Sequence, residues 1–358
     1  MDFLYTILSF SVVICIIVFV HELGHYLAAR LTGMRVEVFS LGFGKSIFQF
    51  QKGDTIYKLS MIPLGGYVKI AGMVDESLDG KESIEKKDDE FESKNSLQKL
   101  FVLSAGVIMN FLLAIFLYTL IIYSQGVGEI NGTYIGSFQE NFPAKDSGLM
   151  INDKIIKINS KPISEWEEIS SIVHSKPNEE ISITVNRAKE ELTFKIKTIP
   201  TETVLDGKKV NIGLLGIGPS IVKKSLSFYD SFIRGLDLTY NWTKMSVMTI
   251  KMLISGEAGV KDLGGPVMIA KMSGDSAKNG FISFLGFIAF LSINIGFLNL
   301  LPIPALDGGH MVYVIIEAIT RRKLSFDLKV KIQTFGMLFL FTLMIVVIFN
   351  DISRVFSG

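Results

Sequence analysis

The sequence predicts an α-helical polytopic membrane protein with four transmembrane helices, a membrane-associated β-hairpin region and one extracytoplasmic α+β domain. Hydrophobic residues make up 49% of the 358 positions, and the mean hydropathy is +0.41. A helix needs about 20 apolar residues to cross a bilayer. Four segments meet this requirement: 3–27, 100–127, 281–306 and 332–350.

The first apolar segment is expected to remain in the protein and not to be removed as a signal peptide. No Lys or Arg precedes its apolar stretch, and no small-residue cleavage site follows it. We therefore count it as a membrane helix.

The distribution of positive charge predicts the orientation, although the net charge is only +1. Basic side chains lie on one side of the predicted helices: Arg30, Arg35, Lys94, Lys99, Arg321, Arg322 and Lys323. Lys and Arg concentrate in short cytoplasmic loops of membrane proteins. Long exported domains largely do not follow this charge bias. This places 30–99 and 307–331 inside, and both termini and 128–280 outside.

The segments between the apolar helices differ in character. Alternating, glycine-bounded stretches between 35 and 70 predict β-hairpins, either dipping into the membrane or packed on its cytoplasmic face. The range 75–94 is charged and predicts a solvated linker. The range 128–220 predicts one small domain, and 221–280 predicts an amphipathic helix on the outer surface with a connector.

The pentapeptide HELGH, at the inner end of the first apolar segment, carries the clearest chemical signal. Positions i and i+4 of a helix share one face, so His21 and His25 are able to bind one metal ion together. Glu22 lies beside them, as a general base does in zinc proteases. Ionisable residues within a membrane helix are costly and usually functional.

Such a zinc site needs a third protein ligand and an open position. The chain has four histidines, and His174 lies in the predicted outer domain. The third ligand is therefore His310 or a carboxylate, and the segment LNLLPIPALDGGH contains both Asp307 and His310. Its prolines break the helix and its glycines permit a close turn, which favours a loop that delivers a carboxylate to the first helix.

Several motifs together resemble the site-2 protease family of intramembrane zinc metalloproteases, specifically the bacterial regulator-of-sigma-E protease type. They are HELGH, LNLLPIPALDGGH, SLGFG with IPLGGYVKI, and SAGVIMN. The similarity spans nearly the whole chain. HELGH alone is weak evidence for the family. HELGH on a first helix together with Asn-x-x-Pro-x-Pro-x-x-Asp-Gly on a later helix is a specific signature of it.

The resemblance implies catalytic and metal-binding roles. His21, His25 and Asp307 are implied to bind one Zn²⁺ per chain. Glu22 is implied to be the general base that activates water. Asn299 is implied to help hold substrate or the developing oxyanion, with a helix–helix hydrogen bond as the structural alternative.

The resemblance also implies substrate contacts. The family presents extended substrate beside a membrane-dipping hairpin, and strand addition is a reasonable way to hold it. We therefore expect Gly42, Phe43 and Gly44 to contact substrate. Asn110 is expected either to contact substrate or to pack between helices. His310 is either a partner of a metal ligand or an interfacial histidine.

The outer domain resembles a PDZ domain of the bacterial protease type. The matching segments are FPAKDSGLMINDKIIKINSKPI at 142–163, ISITVNR at 181–187 and GLLGIGP at 213–219. A well-known relative has two such domains, whereas this chain has room for one. A generic small β-domain that serves as a lid is the alternative.

The resemblance implies cleavage within single-span membrane proteins, such as anti-sigma factors or remnant signal peptides, in the bacterial inner membrane. The expected partners are these substrates and the lipid bilayer, with no nucleic acid. The alternatives are an inactive PDZ-containing membrane adaptor, a zinc transporter and a membrane-anchored protease with a cytosolic site. The intact HELGH motif argues against the adaptor, and the few polar residues in the second and fourth helices argue against a transporter.

Overall fold

The computed structural model describes residues 2–73, 87–205, 208–259, 261 and 263–357. Residues 75–86 of the predicted charged linker lie outside this part. The chain divides into two compact units. The first, which we call the helical unit, comprises Met1–Ser124 and Ser227–Gly358, and the second comprises Gln125–Leu226.

Helices dominate the structure. In chain order they are α1 (Asp2–Leu31), α2 (Ser96–Gln125), α3 (Trp166–His174), α4 (Phe228–Ser255), α5 (Pro266–Lys278), α6 (Phe281–Leu300), α7 (Asp307–Thr320) and α8 (Phe326–Ser357). Among the described residues, four are long and apolar enough to cross a membrane: Phe3–Leu31, Ser96–Gln125, Phe281–Leu300 and Phe326–Arg354. Each of these four overlaps one of the four predicted apolar segments, although the ends differ by several residues.

The third membrane helix is shorter than the sequence predicts. We expected it to run to 306, but α6 ends at Leu300. Leu301 has extended backbone angles (φ −64°, ψ 144°), as a residue before proline prefers. Pro302 and Pro304 lack the N–H groups that a further turn needs. A new helix, α7, then begins at Asp307.

The core of the helical unit lies between α1, α2 and α6. Its fully buried members include Val13, Ile17, Ala114, Ala289 and Ile293. Several of these residues are small, which lets membrane helices approach closely, and close van der Waals packing is what holds such helices together.

The predicted amphipathic helix corresponds to α4 in the structure. Its first turn is capped by Ser227, whose hydroxyl accepts from the Asp230 N–H, and it ends at the left-handed Gly256. Trp242 of α4 packs edge-on against Phe290 of α6, with ring centroids 4.9 Å apart. Its position on the outer membrane surface stays a prediction.

The predicted β-hairpin region forms two long paired strands, β1 (Val36–Lys52) and β2 (Thr55–Ile70), joined at Gly53. Residues 38–41 of β1 have partners both in 56–59 and in 66–69 of β2. The sheet therefore folds back on itself and is more compact than a simple hairpin. Val36 and Ile70 are buried against α1 and α2, whereas Phe48 and Met61 are exposed. Whether this end enters the membrane stays a prediction.

The described part of the second unit is built from a main antiparallel sheet, a separate two-stranded sheet and one helix. Its strands are β3 (Val127–Phe138), β4 (Lys154–Ile158), β5 (Lys161–Pro162), β6 (Glu180–Arg187), β7 (Glu190–Lys197), β8 (Ile199–Leu205), β9 (Lys208–Leu214) and β10 (Ile217–Lys224). In the described residues the main sheet has the order β10-β3-β4-β6-β7, with β5 on β4 and β8–β9 as a separate pair.

The interior of this unit is aliphatic. Ile155, Ile158, Ile181 and Ile183 are fully buried, at alternate positions of β6 and on β4, and they pack with Trp166 of α3. A reciprocal capping box between Glu165 and Glu168 starts α3. The unit is thus a small α+β domain, and its assignment as a PDZ domain stays a prediction.

Candidate metal centre

Helix α1 places the two HELGH histidines on one buried face. The side chains of His21 and His25 are only 7% and 8% exposed, and their rings meet edge to face at 4.8 Å. Their Nε2 atoms lie 3.2 Å apart. This is the result expected for positions i and i+4 of a helix.

The first residue of α7 completes the group. Asp307 Oδ2 lies 3.1 Å from His21 Nε2 and 3.4 Å from His25 Nε2. In a tetrahedral zinc site with ligands at about 2.0–2.1 Å, neighbouring ligand atoms are about 3.3 Å apart. The triangle of 3.1, 3.2 and 3.4 Å matches one face of that tetrahedron, and the fourth corner is left for water or substrate.

The hydrogen bonding of these residues also fits a cation. His25 Nδ1 lies 2.8 Å from the carbonyl oxygen of Val102, which only accepts, so Nδ1 carries the proton and Nε2 of the neutral ring has a lone pair. Asp307 Oδ2 is buried and makes no hydrogen bond to any described residue. Electron pairs that face one another at 3.4 Å repel unless a cation lies between them. The two-nitrogen, one-oxygen donor set suits zinc.

Two glycines let α2 come close enough to support the site. A Cβ atom at Gly106 would collide with His25 Nε2 and lie 2.7 Å from His21 Cε1. A Cβ atom at Gly24, inside the HELGH motif, would collide with the carbonyl oxygen of Ala105. The two helices therefore cross at the two histidines that are candidate metal ligands, where only glycine fits.

The loop before α7 fixes the position of Asp307. Ala305 has a positive φ of 79°, which is rare for a residue with a side chain. Its N–H donates to the fully buried side chain of Gln333 on α8 at 3.2 Å. Gly308 and Gly309 lie so close to the preceding loop that a Cβ atom at either position would strike its carbonyl groups.

Glu22 lines the same cavity as the three ligands. This cavity has a volume of about 50 Å³, and its other lining residues include Val68, Met73 and His310. The backbone of Val68, near the end of β2, lies beside the Glu22 carboxylate in this cavity. The carboxylate therefore faces the space beside the ligands, where a general base must lie.

Two asparagines contact His21 from different sides. The amide nitrogen of Asn299 on α6 lies 3.4 Å from His21 Nε2, beside the metal-binding face. The amide nitrogen of Asn110 on α2 lies 3.3 Å from His21 Nδ1, on the opposite edge of the ring. Asn110 is completely buried.

The structure distinguishes between the two candidates for the third ligand. Asp307 belongs to the one three-residue group of possible metal ligands found in the described part of the chain, and its ligand atoms lie within 4.8 Å of those of His21 and His25. His310 lines the cavity but is not a member of this group, and its ring contacts Tyr313 at 5.8 Å. His174 ends α3 in the other unit.

The residues predicted to bind substrate lie on the folded-back sheet. Gly42 and Gly44 have left-handed φ angles of 89° and 83°. Phe43, between them, is 43% exposed and stacks on Tyr67 at 6.2 Å. An ideal Cβ atom at the neighbouring Gly66 would lie 3.7 Å from Glu22 Cγ, so this part of the sheet borders the base. Their contact with substrate stays a prediction.

Sequence reasoning missed the backbone groups that complete the site. The Val102 carbonyl, which orients His25, and the Val68 backbone, which lies beside Glu22, are examples. Every residue carries such groups, so no motif identifies them. Gln333 was also missed, although a polar residue early in the fourth apolar segment was a usable signal.

A cluster of charges links the elements below the site. Glu92, in a short 3₁₀ turn (Phe91–Ser93), binds Lys99 of α2 at 2.8 Å and Lys329 of α8 at 2.7 Å. Lys329 also binds Glu317 of α7 at 2.8 Å. Burial raises the pKa of Glu92, but the hydrogen bonds and charges of Lys329 and Lys99 outweigh it and hold the pKa at about 2.

Comparisons with known proteins agree with this geometry. The family model described as Peptidase family M50 matches residues 9–343. A candidate zinc metalloprotease of Campylobacter jejuni is 37% identical over 99% of this chain and 94% of its own length. Zinc metalloprotease RasP of Oceanobacillus iheyensis is 30% identical over 98% of this chain and 99% of its own.

A further relative, from Bacillus subtilis, is called regulator of sigma-W protease RasP. It is 31% identical over 99% of this chain and 100% of its own length. Both the family model and these relatives cover the HELGH helix and the Asp307 segment together. The chain therefore belongs to peptidase family M50, the site-2 protease family, and is a zinc metalloprotease.

Proposed function

We propose that this protein is an intramembrane zinc endopeptidase that cleaves the transmembrane segments of single-span membrane proteins. The observation that carries the proposal is the position of the site. His21, Glu22 and His25 lie on a helix apolar enough to cross a bilayer, and Asp307 follows another such helix. The scissile bond must therefore reach a centre that apolar helices surround.

The residues of the chain have separate tasks in this mechanism. His21, His25 and Asp307 would hold the zinc, which when bound supplies Lewis-acid chemistry that polarises a carbonyl and acidifies water. Glu22 takes the proton from the attacking water and returns it to the leaving amine. The Asn299 amide, next to His21, is placed to donate a hydrogen bond to oxygen of the substrate.

The substrate segment must be extended to react, because a peptide bond within a helix is shielded by its own turn. The segment of β2 around Gly66 and Val68 borders Glu22. We propose that substrate lies along this sheet, with Gly42, Phe43 and Gly44 shaping its approach.

Orientation and substrates complete the proposal. The distribution of basic residues supports a site near the cytoplasmic face of a bacterial inner membrane, at the inner ends of α1 and α6, with both termini outside. The name of the Bacillus subtilis relative describes a regulator of sigma-W. This supports membrane-bound anti-sigma factors as one substrate class, with remnant signal peptides as another.

The test is cleavage of a tagged single-span substrate in membranes, with zinc measured on each purified protein. We expect Glu22→Gln to keep zinc and lose cleavage, and Asp307→Asn to lose both. Undiminished cleavage by Glu22→Gln would show that the base is another residue. A wild-type protein that holds zinc but leaves every transmembrane substrate intact would contradict the intramembrane activity and favour the adaptor.

A further inference from the structure

We propose that Asn110 is a positioning residue for the metal ligand His21, whose Nδ1–H is accepted by the side-chain carbonyl oxygen of Asn110. The inference rests on the proposed metal centre, because it requires His21 to bind the ion through Nε2. It assigns Asn110 a task that differs from the predicted contact with substrate.

The first observation concerns the amide of Asn110. This side chain is completely buried, and its Nδ2 atom lies 3.3 Å from His21 Nδ1. Its Oδ1 atom has no hydrogen-bond partner among the described residues. The oxygen and nitrogen of an amide exchange places by a half-turn and are assigned from the hydrogen bonds around them. The surroundings must therefore decide the orientation.

The position of the proposed metal ligands determines the orientation of the Asn110 amide. His21 Nε2 faces Asp307 Oδ2 at 3.1 Å and His25 Nε2 at 3.2 Å, so it is the nitrogen that meets the ion. A neutral imidazole that gives its Nε2 lone pair to a metal carries its proton on Nδ1. Two donors cannot satisfy one another, so the NH₂ group of Asn110 cannot remain against Nδ1. A half-turn removes this donor–donor contact, because Oδ1 then accepts the Nδ1–H while the NH₂ group moves to the position that Oδ1 occupied.

Packing from α6 holds Asn110 in place for this task. Ser292 donates its hydroxyl to the backbone carbonyl of Asn110 at 2.9 Å. Gly296 brings the α6 backbone close, because an ideal Cβ atom there would lie 3.2 Å from Asn110 Cβ. With its backbone and Cβ enclosed, the amide of Asn110 points at the ring of His21.

The arrangement gives α2 a defined function. Val102, Gly106 and Asn110 are spaced by four residues and share one face of that helix. Val102 accepts from His25 and Gly106 makes room for both rings. In the proposed orientation, Asn110 accepts from His21. One helix face thus orients both histidine ligands, as acceptors behind metal-bound histidines generally do.

The test measures zinc affinity by competition with a chelator, on full-length protein in detergent. Asn110→Asp keeps an acceptor of the same shape, and Asn110→Leu has similar volume but no acceptor. Thr119→Val is the matched control, because Thr119 is a buried polar residue of α2 that bonds only within its own helix, to Ile115. We expect Asn110→Leu to weaken zinc binding about 10- to 100-fold, and Asn110→Asp and Thr119→Val to stay close to wild type.

Other results overturn the proposal in distinct ways. Equal losses in Asn110→Asp and Asn110→Leu would mean that the amide donates or only packs. Unchanged zinc affinity in Asn110→Leu would remove the positioning role and leave the metal centre intact. A wild-type protein without zinc affinity would remove the centre and this role together.

A second measurement, NMR of labelled histidines, uses the wild-type protein and therefore needs no variant. The chain has four histidines, so ¹⁵N-histidine labelling gives a resolvable spectrum of the zinc-loaded wild type. A protonated, hydrogen-bonded Nδ1 on His21 is the expected result. Protonation of His21 at Nε2 would overturn the proposal.

Discussion

Gly106 of α2 lies directly against His25 of α1, so that a methyl group at this position would overlap the Nε2 atom of the imidazole. The contact joins a helix-packing residue to a proposed metal ligand. Membrane helices commonly approach at small residues. Here the approach also sets the space in which the ligand nitrogens meet Asp307.

The first prediction follows from that contact. Gly106→Ala should reduce zinc affinity at least tenfold, because the new methyl group pushes His25 away from Asp307. Helix propensity alone would favour this variant, because Ala stabilises a helix interior by about 1 kcal/mol relative to Gly. A loss of zinc affinity would therefore come from the steric contact. Chelator competition measures this loss. Gly286→Ala is the control, since a Cβ atom there meets only Ile121 Cδ1, at 3.9 Å. Equal zinc affinity in both variants would contradict the prediction.

The second prediction concerns the loop that carries Asp307. Gln333→Leu removes the acceptor of the Ala305 N–H and leaves a strained, half-buried backbone group unpaired. We expect a loss of about 1–3 kcal/mol in stability and weaker zinc binding. Thr334→Val is the control, because the Thr334 hydroxyl bonds within its own helix to Val330. Thermal unfolding in detergent and a zinc titration test both effects; a normal zinc affinity would show that the loop holds without Gln333.

The third prediction is a pH dependence that originates at Glu92. Its pKa is about 2 in the folded protein, below the ordinary value of 4.5. A lowered pKa stabilises the fold fully above about pH 4.5 and progressively less as the pH falls towards 2. Glu92→Gln should therefore destabilise the protein by about 3 kcal/mol at pH 7, since it leaves the buried Lys99 without its carboxylate partner and Lys329 with the carboxylate of Glu317 alone. The difference from wild type should shrink as the pH falls below 4.5.

Thermal unfolding of the two proteins at several pH values measures this difference. Glu37→Gln is the control, because the Glu37 carboxylate is more exposed and its partner Arg35 keeps a second carboxylate, that of Asp89. A wild-type minus variant difference that stays constant from pH 7 to pH 3 would show that Glu92 is not the titrating group.

The fourth prediction concerns a cap supplied from another helix. Asp351 of α8 is 2% exposed and accepts from the N–H groups of Gly265 and Met268, both at 3.0 Å, at the start of α5. Asp351→Ala should cost about 1–2 kcal/mol, because it leaves these donors unpaired. The exposed Ser353 provides a control as Ser353→Ala. Limited proteolysis before α5 should increase in Asp351→Ala only; equal cleavage of both variants would show that the cap contributes nothing.

Much of this molecule is visible in its sequence. The four apolar segments agree with the four candidate membrane helices, because a bilayer demands long uninterrupted apolar stretches. The HELGH spacing predicts the pairing of His21 and His25, because i and i+4 meet on any helix. The PIP segment predicts a break after the third helix, although the break comes at Leu300 and not at 306.

The rest depends on contacts between residues far apart in the chain. The sequence alone left His310 and Asp307 open as third ligands, and they are separated by less than one helical turn. Only the packing of the 301–306 loop against Gln333 and α7 brings the Asp307 carboxylate to His21. The amide of Asn110 and the carbonyl of Val102 are likewise placed by the crossing of α1 and α2. The sequence by itself indicated which residues are candidates for the chemistry, because motif spacing and composition can be read without knowing the fold. Tertiary structure decided their distances and hydrogen-bond partners, because these depend on how closely separate helices pack.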